Sequence, residues 1–331
     1  MMNANEGIKS PWPADERALA QVRDFNKKLA WLPRFRIRNR LMPRVIQALL
    51  RASQIGGAGK LRKHGLKAER KVVSVGGVSV PVRIIRPRGK AKGVVLDFHG
   101  GGWVIGNAQM DDNFNVAMVN TCSVTVVSVD YRLALSTPIE GVMEDCLCAA
   151  RWLLNDSCEE SAGLPVIVVG ESAGAHLAAA TLLALSPDLL QRVSGALLYY
   201  GVYDLTGTAS VRAAPPETLV LDGPGMVEAL RRLTPNLNDQ QRRQPPLSPL
   251  YGDFTGFPPA LMFAGELDPL RDDTIELAAR WTKSAPVEVH VLPSCPHGFI
   301  HFPTALADSV LAYGREWITA RIDAFAGAGV T

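Results

Sequence analysis

The sequence predicts a doubly wound α/β domain, on three observations. Short β-rich runs alternate with helical stretches from about residue 72 to the end. Several of those runs are apolar at consecutive positions, as a strand covered by helices on both faces requires. At 331 residues with 47% hydrophobic side chains, the chain has length for one large α/β domain plus an insertion or cap.

Taken in order, residues 14–51 read as two helices broken near Pro33, with apolar positions at helical spacing. Gly56, Gly57 and Gly59 suggest a flexible join. The β-rich runs follow at Val72–Val75, Val80–Ile85, Val94–Phe98, Val124–Val129, Val166–Val169, Ala196–Tyr200, Ala260–Ala264 and Val287–Leu292. Gly76-Gly77 between the first two suits a hairpin and an antiparallel edge. Helical stretches are expected at Ala175–Leu185, Asp272–Ser284 and Ala305–Ala324. Residues 205–250 break the rhythm, with many prolines, no clear strand and a helical piece near Met226–Leu233. A connection of that length is usually functional, often a lid. The expected organisation is therefore residues 1–55 as an N-terminal cap segment and 205–250 as a cap insertion. Residues 56–204 and 251–331 form the main domain, with a sheet of about eight strands.

Composition excludes several classes. A charged fraction of 20% and a net charge of +3 describe a globular chain with no general affinity for nucleic acid. The five cysteines show neither C-x-x-C pairs nor zinc-ligand spacing, so no metal is expected and reduced thiols in a cytoplasmic protein are the simplest account. Residues 1–16 lack a signal-peptide core, and no window reaches the roughly 18 apolar residues of a membrane span. Charge is nonetheless uneven. From Arg34 to Lys71 there are twelve bases against one acid, Glu69. That stretch reads either as a patch for a membrane surface, anionic ligand or partner, or as the solvated side of helices. In the second case Leu41, Val45, Ile46, Leu49 and Leu50 would pack on the main domain. The second is the expectation, on the supposition that acids elsewhere face these bases.

Three motifs carry chemistry. Gly170-Glu171-Ser172-Ala173-Gly174 lies directly between a strand and a helix, the context a nucleophile elbow needs; by itself the pentapeptide is also compatible with a plain turn. His99-Gly100-Gly101-Gly102-Trp103 follows another strand. Three glycines free the backbone to aim N–H groups at one point, as stabilising a developing oxyanion demands. A phosphate cradle fares worse, since no Gly-Lys-Ser/Thr follows. His99, beside that loop, is expected to brace it. Finally, Asp268 and His297 each follow a late strand, giving the chain order serine, aspartate, histidine found in α/β-hydrolases. His301 is the rival to His297. Glu266, Asp272 and Asp273 stand near Asp268, and the last two are expected to serve the next helix N-terminus. His176 and His290 read as structural.

With these residues in place, the chain resembles the hormone-sensitive-lipase-like carboxylesterases, the bacterial family IV esterases, over about residues 70–325. The resemblance rests on His99–Trp103, Asp130-Tyr131-Arg132-Leu133-Ala134, Gly170–Gly174, Asp268-Pro269-Leu270-Arg271-Asp272 and His297-Gly298-Phe299. It implies the α/β-hydrolase fold, with Ser172 as nucleophile, His297 as base and Asp268 as the acid that orients it. It also implies an oxyanion hole from the N–H groups of Gly101, Gly102 and Ala173, a helical cap and no cofactor. The partner expected is a short- to medium-acyl ester, with a homodimer as a further expectation and no stable membrane insertion. Glu171 stands where the family has Asp or Thr, and Leu135-Ser136-Thr137-Pro138 replaces Pro-Glu-His-Pro. An amidase, deacetylase or lactonase using the same triad, and a non-catalytic receptor on this fold, are the alternatives.

Overall fold

Strands that are apolar on both faces need cover on both, and the chain supplies it. The structure, a computed structural model, describes residues 15–36 and 41–328. Eight strands form one sheet in the order β1-β2-β4-β3-β5-β6-β7-β8. They are β1 (Ala68–Val75), β2 (Val78–Ile85), β3 (Gly93–Phe98), β4 (Val124–Val129), β5 (Val166–Glu171), β6 (Val193–Tyr199), β7 (Ala260–Gly265) and β8 (Val287–Leu292). The β1–β2 hairpin turns at Gly76-Gly77, and β2 runs antiparallel to β4. Every other pairing is parallel. Each expected run is a strand, with ends shifted by up to four residues.

The helices are α1 (Glu16–Leu29), α2 (Leu41–Ser53), α3 (Gly57–Lys63), α4 (Asp112–Cys122), α5 (Ile139–Leu153) and α6 (Ala173–Ala184). They continue with the short α7 (Pro187–Leu190) and α8 (Ala209–Arg212), then α9 (Met226–Leu233), the short α10 (Asp239–Arg242), α11 (Arg271–Trp281) and α12 (Ala305–Ala328). Alternate side chains of one strand enter different cores, as the two-residue period demands. Val94, Leu96 and Phe98 pack with residues of α5, α6 and α11; Val95 packs with residues of α4 and α12. After β3 the chain crosses to β4 on one side, and after β4 it crosses to β5 on the other. That reversal makes a crevice at the carboxyl ends of β3 and β5, where ligands of open α/β sheets bind.

Three expectations need correction. The glycines at 56, 57 and 59 do not make a loose join; Gly56 is the cap and α3 begins at Gly57. Leu41, Val45 and Leu49 do not pack on the main domain but face solvent, with Ile46 and Leu50 only half-buried. Gln47 and Pro43 take the inward side of α2 instead. Among the described bases of the 34–71 stretch, only Arg36 and Arg70 pair with acids, Asp222 and Asp130. Arg38, Arg40 and residues 1–14 of the expected cap segment lie outside the described residues. Among the described residues no helix is long and apolar enough to cross a membrane.

Candidate active site

Position follows from the elbow. Ser172 sits between β5 and α6 with φ 52° and ψ −118°, a backbone conformation non-glycine residues rarely adopt and a mark of functional strain. The flanking glycines make the turn possible by close approach. A Cβ on Gly174 would stand 1.8 Å from the Phe98 carbonyl oxygen, and one on Gly170 would stand 2.5 Å from the Gly174 carbonyl oxygen. The elbow is thus clamped against the end of β3, which brings the His99–Trp103 loop beside the serine. Gly101 has φ +105° and Gly102 φ +59°. Among the described residues, no turn or loop hydrogen bond uses the N–H of Gly101, Gly102 or Ala173.

The three side chains expected to converge do so. Ser172 Oγ lies 2.8 Å from His297 Nε2, and His297 Nδ1 lies 2.8 Å from Asp268 Oδ2. Both partners are buried, His297 at 6% exposure and Asp268 at 3%. Asp268 Oδ1 accepts the N–H of Leu270, so the carboxylate is held from both sides. Tyr200 meets the His297 ring edge-on at 4.8 Å between centroids. Over Ser172 opens a cavity of about 200 Å³ whose walls include Gly102, Trp103, Val202, Leu221, Met226 and Phe35.

The other histidines fall elsewhere. His301 does not reach Ser172; its Nε2 lies 2.6 Å from Glu171 Oε2. His99 is fully buried, and burial lowers its pKa to about 4 despite its hydrogen bond to the Gly100 carbonyl. It is neutral at pH 7 and braces the loop, with the Tyr131 hydroxyl donating to the His99 carbonyl at 2.6 Å. His176 on α6 is likewise pushed to about 4 by burial. Trp103 Nε1 donates to His176 Nδ1 at 3.1 Å, and His176 Nε2 donates to the Leu247 carbonyl at 2.8 Å. This chain of bonds ties the glycine loop, α6 and the 205–250 segment together. His290 pairs with Glu288.

Asp272 and Asp273 stand in the first turn of α11, as expected, but neither caps it; their carboxylates also reach outside the helix. Asp273 is wholly buried and accepts from the backbones of Tyr203 and Asp204 and from Thr208 Oγ1, which fixes the start of the 205–250 segment. Asp272 accepts from the Ser210 N–H.

Sequence reasoning left Glu171 without a role. Its Oε2 accepts from the Tyr200 hydroxyl at 2.6 Å as well as from His301. Burial works to raise its pKa, but the charge and hydrogen bond of His301, the Tyr200 hydroxyl and nearby His297 outweigh it and hold it down at about 2. Conversely, the Glu171 charge raises His301 against the effect of burial. Asp111 stands near this pair, and the three ligand atoms lie within 4.8 Å of one another. They do not make a metal site as they stand. Two ligands of one tetrahedral zinc stand roughly 3.3 Å apart, whereas Glu171 and His301 close to hydrogen-bond distance on each other.

A sheet of this order, with an elbow after β5 and a glycine loop after β3, defines an α/β hydrolase. The model of a family described as alpha/beta hydrolase fold matches residues 95–301. The chain is 30% identical to carboxylesterase NlhH of Mycobacterium tuberculosis over 263 residues, which is 76% of this chain and 81% of that protein. Esterase LipW from Mycobacterium marinum superimposes with a TM-score of 0.79 at 26% identity, over 90% of this chain and 95% of that one. A hormone-sensitive lipase from a metagenome library gives 0.72 at 27%, over 91% and 98%. The chain belongs to the alpha/beta hydrolase family, among its hormone-sensitive-lipase-like members.

Proposed function

We propose that the chain is a serine carboxylesterase in which Ser172 is the nucleophile, His297 the base and Asp268 the residue that orients it. It is a carboxylic ester hydrolase; the observation that carries the mechanism is the unbroken line from Ser172 Oγ through the His297 ring to Asp268, each step 2.8 Å. As Ser172 attacks the ester carbonyl, His297 Nε2 takes the hydroxyl proton, and the charge on the ring is stabilised by Asp268. The tetrahedral oxyanion is held by the N–H groups of Gly101, Gly102 and Ala173. His297 returns the proton to the leaving alcohol. Water, deprotonated by the same ring, then attacks the acyl-enzyme and frees the acid.

The cap consists of residues 1–55 with 205–250. In support, Phe35 and Leu221 pair as an isolated bridge and both wall the cavity over Ser172. A cavity of about 200 Å³ with Trp103, Val202 and Met226 around it suits short to medium acyl chains. Five buried free thiols suit the reducing cytoplasm. A homodimer remains part of this reading from the resemblance alone.

The test is turnover of a chromogenic short-acyl ester. Ser172→Ala and His297→Ala are expected to lose about 10⁴–10⁶ in kcat, while His301→Ala stays within about tenfold of wild type. Comparable rates for wild type and Ser172→Ala would refute the nucleophile.

A further inference from the structure

A helix on a protein surface ordinarily turns its apolar stripe inward and its polar side to water. Helix α2 departs from this, leaving part of its apolar stripe outward. Beside the buried Pro43 and the half-buried Ile46 and Leu50, its inward contacts include a polar pair: the Gln47 amide donates to the Gly106 carbonyl at 2.9 Å and accepts the Gly106 N–H at 2.7 Å. Just past its end, the Gln54 and Asn107 amides exchange hydrogen bonds at 2.9 and 2.8 Å. Val45 and Leu49, one turn apart, point to solvent on the opposite side. Trp31 at 90% exposure and Leu32 precede the helix, and Ile55 at 84% follows it. Among the described residues, seven of the ten exposed large hydrophobic side chains fall between residues 31 and 55.

Along the chain, the charge of this segment has one sign. Residues 25–68 hold no acid at all. Arg44 and Arg51, seven residues apart, run along one flank of the stripe. The adjoining α3 adds Lys60, Arg62 and Lys63, and all five are exposed with no acid paired to them among the described residues.

We propose that the outward face of α2 docks the protein on an anionic lipid surface, with Val45 and Leu49 entering the headgroup boundary and Arg44 and Arg51 meeting its phosphates. An exposed apolar stripe flanked by bases is the make-up of an interfacial helix. A second copy of the chain fits less well, because a symmetric contact would set Arg44 and Arg51 against themselves with no acid in the segment to answer them. Phe35 and Arg36, between α1 and α2, line the cavity over Ser172, so a docked molecule holds that cavity near the lipid. The corollary that lipophilic esters enter from the membrane rests on the hydrolase reading; the docking itself does not.

The experiment is co-sedimentation of the full chain with phosphatidylcholine vesicles, with and without phosphatidylglycerol, across a salt series. Binding is expected on anionic vesicles, is much weaker on neutral ones and falls with salt. At about fivefold per charge, Arg44→Ala/Arg51→Ala is expected to bind about thirtyfold more weakly, and Val45→Ser/Leu49→Ser at least as poorly. Both keep wild-type turnover of a soluble short-acyl ester, so loss of docking is read apart from loss of catalysis. The proposal is overturned if the chain stays in the supernatant with anionic vesicles at low salt, or if the serine double variant binds as wild type does. A dimer in light scattering that the serine double variant splits, without vesicle binding, also overturns it.

Discussion

Glu171 shows how one residue next to the proposed nucleophile can matter through its own partners. Its carboxylate lies in a buried pocket, where an unpaired charge is strongly unfavourable, and it persists because Tyr200 and His301 both donate to it. Folded Glu171, held near 2, contributes stability that is present above the carboxylate's ordinary value and lost as pH falls through about 2. His301 is raised, so its contribution is present below its ordinary value near 6.5 and lost as pH climbs through the raised one. Both overlap fully between about pH 4.5 and 6.5. Glu171→Gln is therefore expected to cost about 1–2 kcal/mol in that window, since solvent on half-exposed His301 screens the pair. The cost narrows at alkaline pH. Denaturant unfolding at pH 5.5 and 9 checks this, and an equal cost at both would show that charge is not what Glu171 supplies. None of it was legible in the sequence. Ser172, Asp268 and His297 stand in motifs that single them out by their place after strands, whereas the Glu171 partners lie 29 and 130 positions away and meet it only through the fold.

At the scale of elements, the elbow depends on the backbone of β3 and α6 coming closer than any side chain permits. Gly174→Ala would drive a Cβ into the Phe98 carbonyl, where the obstacle is a central strand that cannot yield. The expected cost is at least about 3 kcal/mol, together with a fall in kcat as Ser172 is pushed from His297 Nε2. A variant with wild-type unfolding would mean that the strand end gives way after all. Element legibility divides along the same line of local against tertiary cause. Strands β4 and β8 coincide with their expected runs because β-branched Val recurs along each at the two-residue spacing of a strand, which admits few other readings. Helix α4 escaped, since Asn113, Asn115 and Asn120 are poor helix formers and its helicity comes from packing Met118 and Val119 in the core. Helix α2 was recognised but given the wrong orientation. Periodicity locates an apolar stripe and does not say whether the fold or some outside surface covers it.

At the scale of the whole molecule, the sheet and its two cores fix the line of Ser172, His297 and Asp268, while the segments above the strand ends set what reaches it. Those segments meet at one place. Phe35 N–H donates to the Val220 carbonyl at 2.6 Å, and Asp222 N–H donates back to the Phe35 carbonyl at 3.2 Å. Arg36 adds an ion pair to Asp222. The chain therefore closes over the cavity through backbone bonds, and the Phe35 ring is free to serve as a wall. Phe35→Ala should leave the bonds and remove the wall. On the cap reading, binding of the acyl group weakens while the reacting atoms stay aligned. KM for a short-acyl ester is then expected to rise about tenfold, the equivalent of about 1.4 kcal/mol of lost apolar contact. Over the same change kcat should hold within about twofold, and a longer acyl chain that fills the vacated space should lose less. A chain-length series on wild type and variant decides the matter. If kcat collapses while KM stays put, Phe35 positions the chemistry rather than walling the cavity, and the segment around it belongs to the catalytic centre instead of to a cap.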